Sequence, residues 1–129
     1  CFCNSNAIIE EVINDNNIDF LIAKDVFEHL DETELLTLLS KLKNSRIKTV
    51  YAIVPLANRN DHKYTVESYE NDVTHKLRKT SHWWENVLKS ELGFNISMSR
   101  MKHGPIKENW TKTFPNGNLF ILLDRYLNH

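Results

Sequence analysis

The sequence contains few of the residues that interrupt regular structure. Only 3 of its 129 residues are glycine and 3 are proline, which argues against a disordered chain, a collagen-like repeat or a low-complexity segment. Hydrophobic residues make up 41% and charged residues 26%, as in ordinary globular proteins. The chain is therefore expected to form one soluble globular domain, or part of one.

The sequence also has few cysteines, little net charge and no long apolar run. Cys1 and Cys3 are the only cysteines; they are badly placed to bridge each other and have no second pair to complete a zinc site, so we expect reduced thiols in a cytoplasmic protein. The formal net charge of −1 gives no pull toward nucleic acid or anionic membranes. No apolar run approaches the roughly 20 residues that span a bilayer. We expect neither nucleic acid nor a membrane as a partner, and the oligomeric state stays open.

Apolar periodicity predicts alternating helices and strands. Helical spacing of apolar residues and turn-forming clusters mark the helices, and short apolar or alternating runs mark the strands. Asp31, with Glu34 three residues later, is spaced as a capping box, and Gly93 is placed to end a helix. The predicted elements are a helix at 7–14, a strand at 18–23, a helix beginning after Asp31, a strand at 47–56, a helix beginning near 81, and strands at 94–101 and 118–127.

This order predicts an α/β fold with parallel strands and an antiparallel edge pair. The strands at 18–23 and 48–54 should be parallel neighbours, and the last two strands should pair antiparallel, with the final one beside 48–54. The segment GPIKENWTKTFPNG (104–117) is expected to be a loop joining the last two strands. The polar stretch 57–80 is long for a connector, which favours a functional loop or lid.

The most informative segment is IDFLIAKDVFEHL (18–30). Its first half is a near-continuous apolar run, as expected of a strand buried on both faces of a parallel sheet. Ligands of open α/β sheets bind beyond the carboxyl ends of the strands. Asp25, Glu28 and His29 fall at that end, so they form a candidate site.

Four segments of the sequence form a recognisable set in this order: DFLIAKDVFEHL (19–30), Val54-Pro55, NDVTH (71–75) and HWWENVLKSELGF (82–94). Together these motifs resemble class I S-adenosylmethionine-dependent methyltransferases. The resemblance covers nearly the whole chain and corresponds to the C-terminal half of that fold, from its fourth strand to its seventh. The family's glycine-rich loop has no counterpart, because no G-x-G occurs in the sequence.

The resemblance implies a Rossmann-like methyltransferase sheet, with residues 1–129 as a single partial domain that lacks the N-terminal cofactor-binding half. The implied cofactor is S-adenosylmethionine, with contacts at Ala23, Lys24 and Asp25, where the strand ends. The implied reaction is methyl transfer to an oxygen or nitrogen of a small molecule. The rival interpretation is a non-catalytic methyltransferase-like module that binds a partner chain.

The candidate catalytic residues are Glu28, His29 and His75. Positioning dominates when the leaving group is a sulfonium, so a general base is needed only if the acceptor must lose a proton. His29 and His75 are the candidates for that base, tuned by Glu28 or Asp25. If they form one site, the two imidazoles should lie within ~8 Å of each other, close enough to share one metal or one substrate hydroxyl.

A divalent metal is the alternative role for the same groups, although the sequence does not commit them to metal binding. Two carboxylates and two imidazoles can hold a cation that lowers the pKa of a bound hydroxyl. This set resembles small-RNA 2′-O-methyltransferases, whose metal site uses E-x-x-E-H and a later histidine; here Asp25 replaces the first glutamate. Quinone-biosynthesis O-methyltransferases share the E-H element, so the motif leaves the substrate open.

Structural explanations exist for each of these residues. Asp25 and Glu28 are spaced as a helix capping box, His29 could be a buried hydrogen-bonded histidine, and His75 could be solvated. Trp83 and Trp84 suit a hydrophobic core better than a substrate-stacking surface.

Overall fold

The computed structural model of the chain describes residues 2, 3, 9, 11, 13, 14 and 18–125. They form a five-stranded sheet with the order β1-β2-β3-β5-β4. β2 pairs in parallel with β1 and β3, whereas β5 pairs antiparallel with β3 and β4. The predicted parallel pair and antiparallel edge pair are confirmed. The strands are β1 (Phe2–Cys3), β2 (Phe20–Lys24), β3 (Thr49–Pro55), β4 (Asn95–Arg100) and β5 (Asn118–Asp124).

Between residues 18 and 125, four α-helices lie in the connections between the strands. They are α1 (Glu32–Lys43), α2 (Glu67–Glu70), α3 (Ser81–Leu92) and α4 (Glu108–Thr113), and a short 3-10 helix covers Phe27–His29. Of the helix predicted at 7–14, Ile9, Glu11 and Ile13 are helical and Asn14 lies in a turn; its other residues lie outside the described part. The prediction of a plain loop at 104–117 is wrong, because α4 forms between Gly104-Pro105 and Pro115-Asn116-Gly117.

The main hydrophobic core lies on one face of the sheet, beneath α1 and α3. The leucine stripe of α1 (Leu35, Leu38, Leu39 and Leu42) and the inner face of α3 (Trp84, Leu88 and Leu92) are buried there. The opposite face carries a smaller cluster around Tyr51, Ile53 and Phe120. Phe20, at the start of β2, is 39% exposed. Among the described residues, no helix has both the length and the apolar character needed to cross a membrane.

Strand direction determines where the connections gather. β2 and β3 are parallel, and β4 runs in the same direction because both β3 and β4 are antiparallel to β5. The carboxyl ends of these three strands therefore share one edge of the sheet, where β5 begins. The connections 25–31, 56–80 and 101–117 all start or end at this carboxyl edge, where ligands of α/β sheets bind.

Two helix ends follow the sequence signals. The Asp31 carboxylate accepts a hydrogen bond from the Glu34 amide, and the Glu34 carboxylate accepts one from the Asp31 amide, which completes the predicted capping box. Gly93 ends α3 with φ 68°, a left-handed conformation that glycine adopts without strain.

Replacing Gly93 by alanine should lower the free energy of unfolding by about 1 kcal/mol, because a side chain disfavours the left-handed conformation. The added methyl group would have space, since its nearest neighbour is the Lys43 Cε atom at 3.7 Å. Urea denaturation measures the loss. Ser90→Ala, at an exposed site of the same helix, is the control and should be nearly neutral; an equal effect of both variants would contradict the conformational explanation.

Candidate functional site

The turn after β2 begins with a constrained backbone. Asp25 has φ 56°, and its amide donates to the Ile53 carbonyl of β3 at 3.0 Å. Val26 and Phe27 are buried and fix the 3-10 helix against the core. Val26 precedes that helix without any side-chain cap. The capping-box explanation of Asp25 and Glu28 is therefore wrong; the capping box lies one turn later, at Asp31 and Glu34.

The long connection 56–80 folds back over this turn. The amides of Lys76 and Leu77 both donate to the Glu28 carbonyl, at 2.8 and 3.1 Å. The Tyr64 hydroxyl donates to the Leu77 carbonyl from a buried position. These bonds join two segments far apart in sequence, and they place His75 directly beside the turn.

The structure brings His29 and His75 together. Their ring centroids are 4.6 Å apart in an edge-to-face arrangement, well within the predicted ~8 Å. His75 is only 8% exposed, so the hypothesis of a solvated His75 is wrong. His29 is half-buried.

Glu28 completes a group of three possible metal ligands. One side-chain ligand atom from each of Glu28, His29 and His75 lies within 4.8 Å of the others. His75 Nδ1 lies 2.9 Å from the Tyr69 carbonyl, and His29 Nδ1 lies 3.2 Å from the Thr74 carbonyl. Because a carbonyl oxygen can only accept, each Nδ1 must donate, which leaves Nε2 as the ring nitrogen that could bind a metal. Metal-binding histidines are usually oriented in this way.

The Glu28 carboxyl lacks a hydrogen-bond partner that its burial would require. The residue is 1% exposed, and its Oε1 atom has no partner among the described residues. Burial, reinforced by the negative charge of Asp25, raises its pKa from 4.5 to about 8. A buried polar atom without a partner is costly, and a divalent cation would satisfy this one. The triad, defined as Glu28, His29 and His75, thus fits a metal in its chemistry and its spacing.

Asp72 borders the triad. Its Oδ1 accepts from the Thr74 hydroxyl at 2.6 Å and from the Thr74 amide at 2.9 Å, and these bonds hold the pKa of the Asp72 carboxyl below its usual range. Its other oxygen, Oδ2, lies 3.4 Å from His75 Nε2. The hydroxyl oxygen of Thr74 is also 3.0 Å from His29 Nδ1. One short loop therefore orients both imidazoles.

Lys107 is a site residue that sequence reasoning missed. Its Nζ lies 2.6 Å from Asp25 Oδ1 and 3.3 Å from both the Tyr69 hydroxyl and Asn118 Oδ1. The side chain is only 7% exposed. Burial alone would disfavour the charge, but the Asp25 carboxylate and Tyr69 outweigh it and raise the Lys107 pKa. The sequence separation of 82 residues left no local signal for this pair.

Comparison with known proteins gives no match at the level of sequence families. No family model matches the chain, and no curated protein sequence does. Solved structures match it in fold. One is a protein described as a methyltransferase, in complex with the Haloferax volcanii methyltransferase activator Trm112: TM-score 0.57 and 12% identity, over 85% of this chain and 55% of that one.

Two further solved structures match the chain in fold. The methyltransferase domain of bacterial CtHen1 matches with TM-score 0.54 and 20% identity, over 88% of this chain and 57% of that one. An S-adenosylmethionine-dependent methyltransferase from Archaeoglobus fulgidus matches with TM-score 0.54 and 16% identity, over 92% of this chain and 63% of that one. The chain has the class I methyltransferase fold. It spans a little more than half the length of these structures.

Within the methyltransferase fold, the three predicted cofactor contacts have different surroundings. Ala23 is fully buried in the sheet, Lys24 is half-buried at the end of β2, and Asp25 is paired with Lys107. Their contact with S-adenosylmethionine stays a prediction. Trp84 is fully buried in the core, and Trp83 packs edge-to-face on it, so the core interpretation of this pair is confirmed.

Proposed function

We propose that the whole protein is an S-adenosylmethionine-dependent O-methyltransferase and that this chain is the acceptor-facing half of its catalytic domain. The fold supports methyl transfer as the general activity. The chain has no G-x-G, and the smaller cluster on the second face of the sheet includes half-buried Ile22, Met98 and Leu122. The cofactor-binding half would supply the glycine-rich loop and cover that face.

The observation that carries this proposal is the triad. A buried carboxylate and two imidazoles whose Nδ1 atoms are bound to carbonyls can hold a divalent cation, which when bound would lower the pKa of an acceptor hydroxyl. Glu28 is anchored by the 3-10 helix, and the Thr74 and Tyr69 carbonyls fix the two rings. The chain's own contribution is therefore to hold the acceptor oxygen at the carboxyl edge, and the proton of its hydroxyl group would leave to water.

This chemistry favours oxygen over nitrogen as the methyl acceptor, because hard divalent cations prefer oxygen ligands. A small molecule with two adjacent hydroxyl groups, such as a catechol, could chelate such a cation. A terminal ribose of RNA, with its vicinal 2′ and 3′ hydroxyls, is the second candidate. It is favoured by the sequence of Glu28 and His29 with the later His75, which resembles part of the metal site of small-RNA 2′-O-methyltransferases.

Methyl transfer by the whole protein tests this proposal. Purified protein would be stripped of metal with EDTA and incubated with S-adenosylmethionine, with and without Mn²⁺, and with either a catechol or a short RNA that ends in a free ribose. We expect transfer to one acceptor only when Mn²⁺ is present. A protein that fails to bind S-adenosylmethionine in calorimetry would instead support the non-catalytic interaction module.

A further inference from the structure

Lys107 and Asp25 form an internal ion pair at the rim of the triad. The Nζ–Oδ1 distance is 2.6 Å, and the lysine is nearly inaccessible while Asp25 is 38% exposed. Tyr69 and Asn118 hold the ammonium from the other side. The lysine is therefore fixed in place by three groups.

The backbone at both ends of this pair is constrained. Asp25 and Lys107 have φ values of 56° and 52°, in the left-handed region that residues with side chains rarely occupy. Such conformations persist only where the surrounding structure enforces them, and they cluster at functional sites. The position of α4 at the carboxyl edge thus directs Lys107 toward Asp25.

The pair determines which carboxylates are available to a cation. Asp25 lies three residues before Glu28 and is close enough for its charge to act on it, so it would be a natural fourth ligand. Its Oδ1 atom is instead bound to Lys107. Asp25 is not in the triad, and within the described part of the chain Glu28, His29 and His75 are the group found at the spacing of a common metal.

We propose that Lys107 withholds Asp25 from the metal site and so limits the affinity of the triad for a divalent cation. This inference rests on the proposed metal at the triad. A three-ligand site leaves more coordination positions for the oxygens of an acceptor, as in catalytic metal sites in general. The positive charge of Lys107 acts on Glu28 and would also disfavour a cation at the triad, because screening is weak in a partly buried region.

Calorimetry with Mn²⁺ on the whole protein tests the proposal. Lys107→Met removes the competing cation and frees Asp25, so the affinity should rise by about tenfold or more, the scale of outer-shell effects on metal binding. Lys107→Arg keeps the charge and should leave the affinity close to that of wild type. Lys112→Met is the matched control on the same helix, because Lys112 is 71% exposed and pairs only with Glu108 among the described residues.

The charge-neutral double variant, Asp25→Asn with Lys107→Met, separates the two roles of Asp25. If Asp25 does not bind the metal in the wild type, this variant should keep wild-type affinity. A loss as large as that of a triad variant would overturn the proposal, as would unchanged or weaker binding by Lys107→Met. Lys107→Gln provides the same test if the methionine variant fails to fold.

The outcomes also separate this inference from the proposed function. If His75→Ala abolishes Mn²⁺ binding while Lys107→Met leaves it unchanged, the metal site stands and the role of Lys107 is refuted. Binding seen in Lys107→Met but not in the wild type would support the proposal directly. Absence of binding in both proteins would overturn both claims.

Discussion

Replacing His75 by alanine in the whole protein should lower its affinity for Mn²⁺ and its rate of methyl transfer by at least about a hundredfold. His75 supplies one of three ligand atoms, and its removal should exceed the 10- to 100-fold effects typical of outer-shell groups. The ring is held by the Tyr69 carbonyl and packs against His29, a position that alanine leaves without a ligand atom. Calorimetry and a radiolabelled-methyl assay measure the two losses.

His82→Ala is the matched control for this change. His82 is exposed at the start of α3, outside the triad, so both quantities should stay at wild-type values. Circular dichroism must show that His75→Ala is folded. A folded His75→Ala protein with normal Mn²⁺ affinity would contradict the metal-site proposal.

Without metal, the protein should lose stability as the pH rises from about 5 to 8. The Glu28 pKa is about 8 in the folded state, against the ordinary 4.5 of an unfolded chain. Between these values the folded state keeps a proton that the unfolded state has released, so the stability from this group is complete below the unfolded pKa and is lost as the pH rises. The effect is about 1.4 kcal/mol for each pH unit of the window.

Glu28→Gln should abolish most of this pH dependence, because glutamine keeps the shape of the neutral acid and cannot ionise. Urea denaturation at several pH values between 5 and 8 measures the slope for each protein. Glu32→Gln, at an exposed position of α1, should keep the wild-type slope. The account of Glu28 as a buried acid is wrong if Glu28→Gln loses stability with pH as steeply as the wild type does.

The sequence was sufficient for the scaffold because local signals specify it. The apolar runs of β2 and β3, the Asp31–Glu34 capping box and Gly93 each depend on neighbours within a few residues. The parallel pairing and the antiparallel edge pair then follow from general rules of α/β topology. The segment 104–117 was interpreted incorrectly because its turn residues suggested a loop, although the six residues of α4 lie between them.

The site was only partly predictable. Glu28, His29 and their place at the end of β2 could be read from one segment, and His75 from its motif. The closeness of His29 and His75 depends on the bonds between the Glu28 carbonyl and the amides of Lys76 and Leu77, which no local pattern encodes. The alternative of Asp25 as a cap is wrong, and its pairing with Lys107 could not be predicted because the two residues are distant in sequence.

Anomalous X-ray scattering from crystals of the whole protein soaked with Mn²⁺ would show directly whether the triad binds a metal. We predict one strong manganese peak at the carboxyl edge of the sheet, within bonding distance of a Glu28 oxygen and of Nε2 in His29 and His75, with Asp25 still bound to Lys107. A triad without a peak at a Mn²⁺ concentration that supports methyl transfer, or a peak elsewhere, would contradict the account.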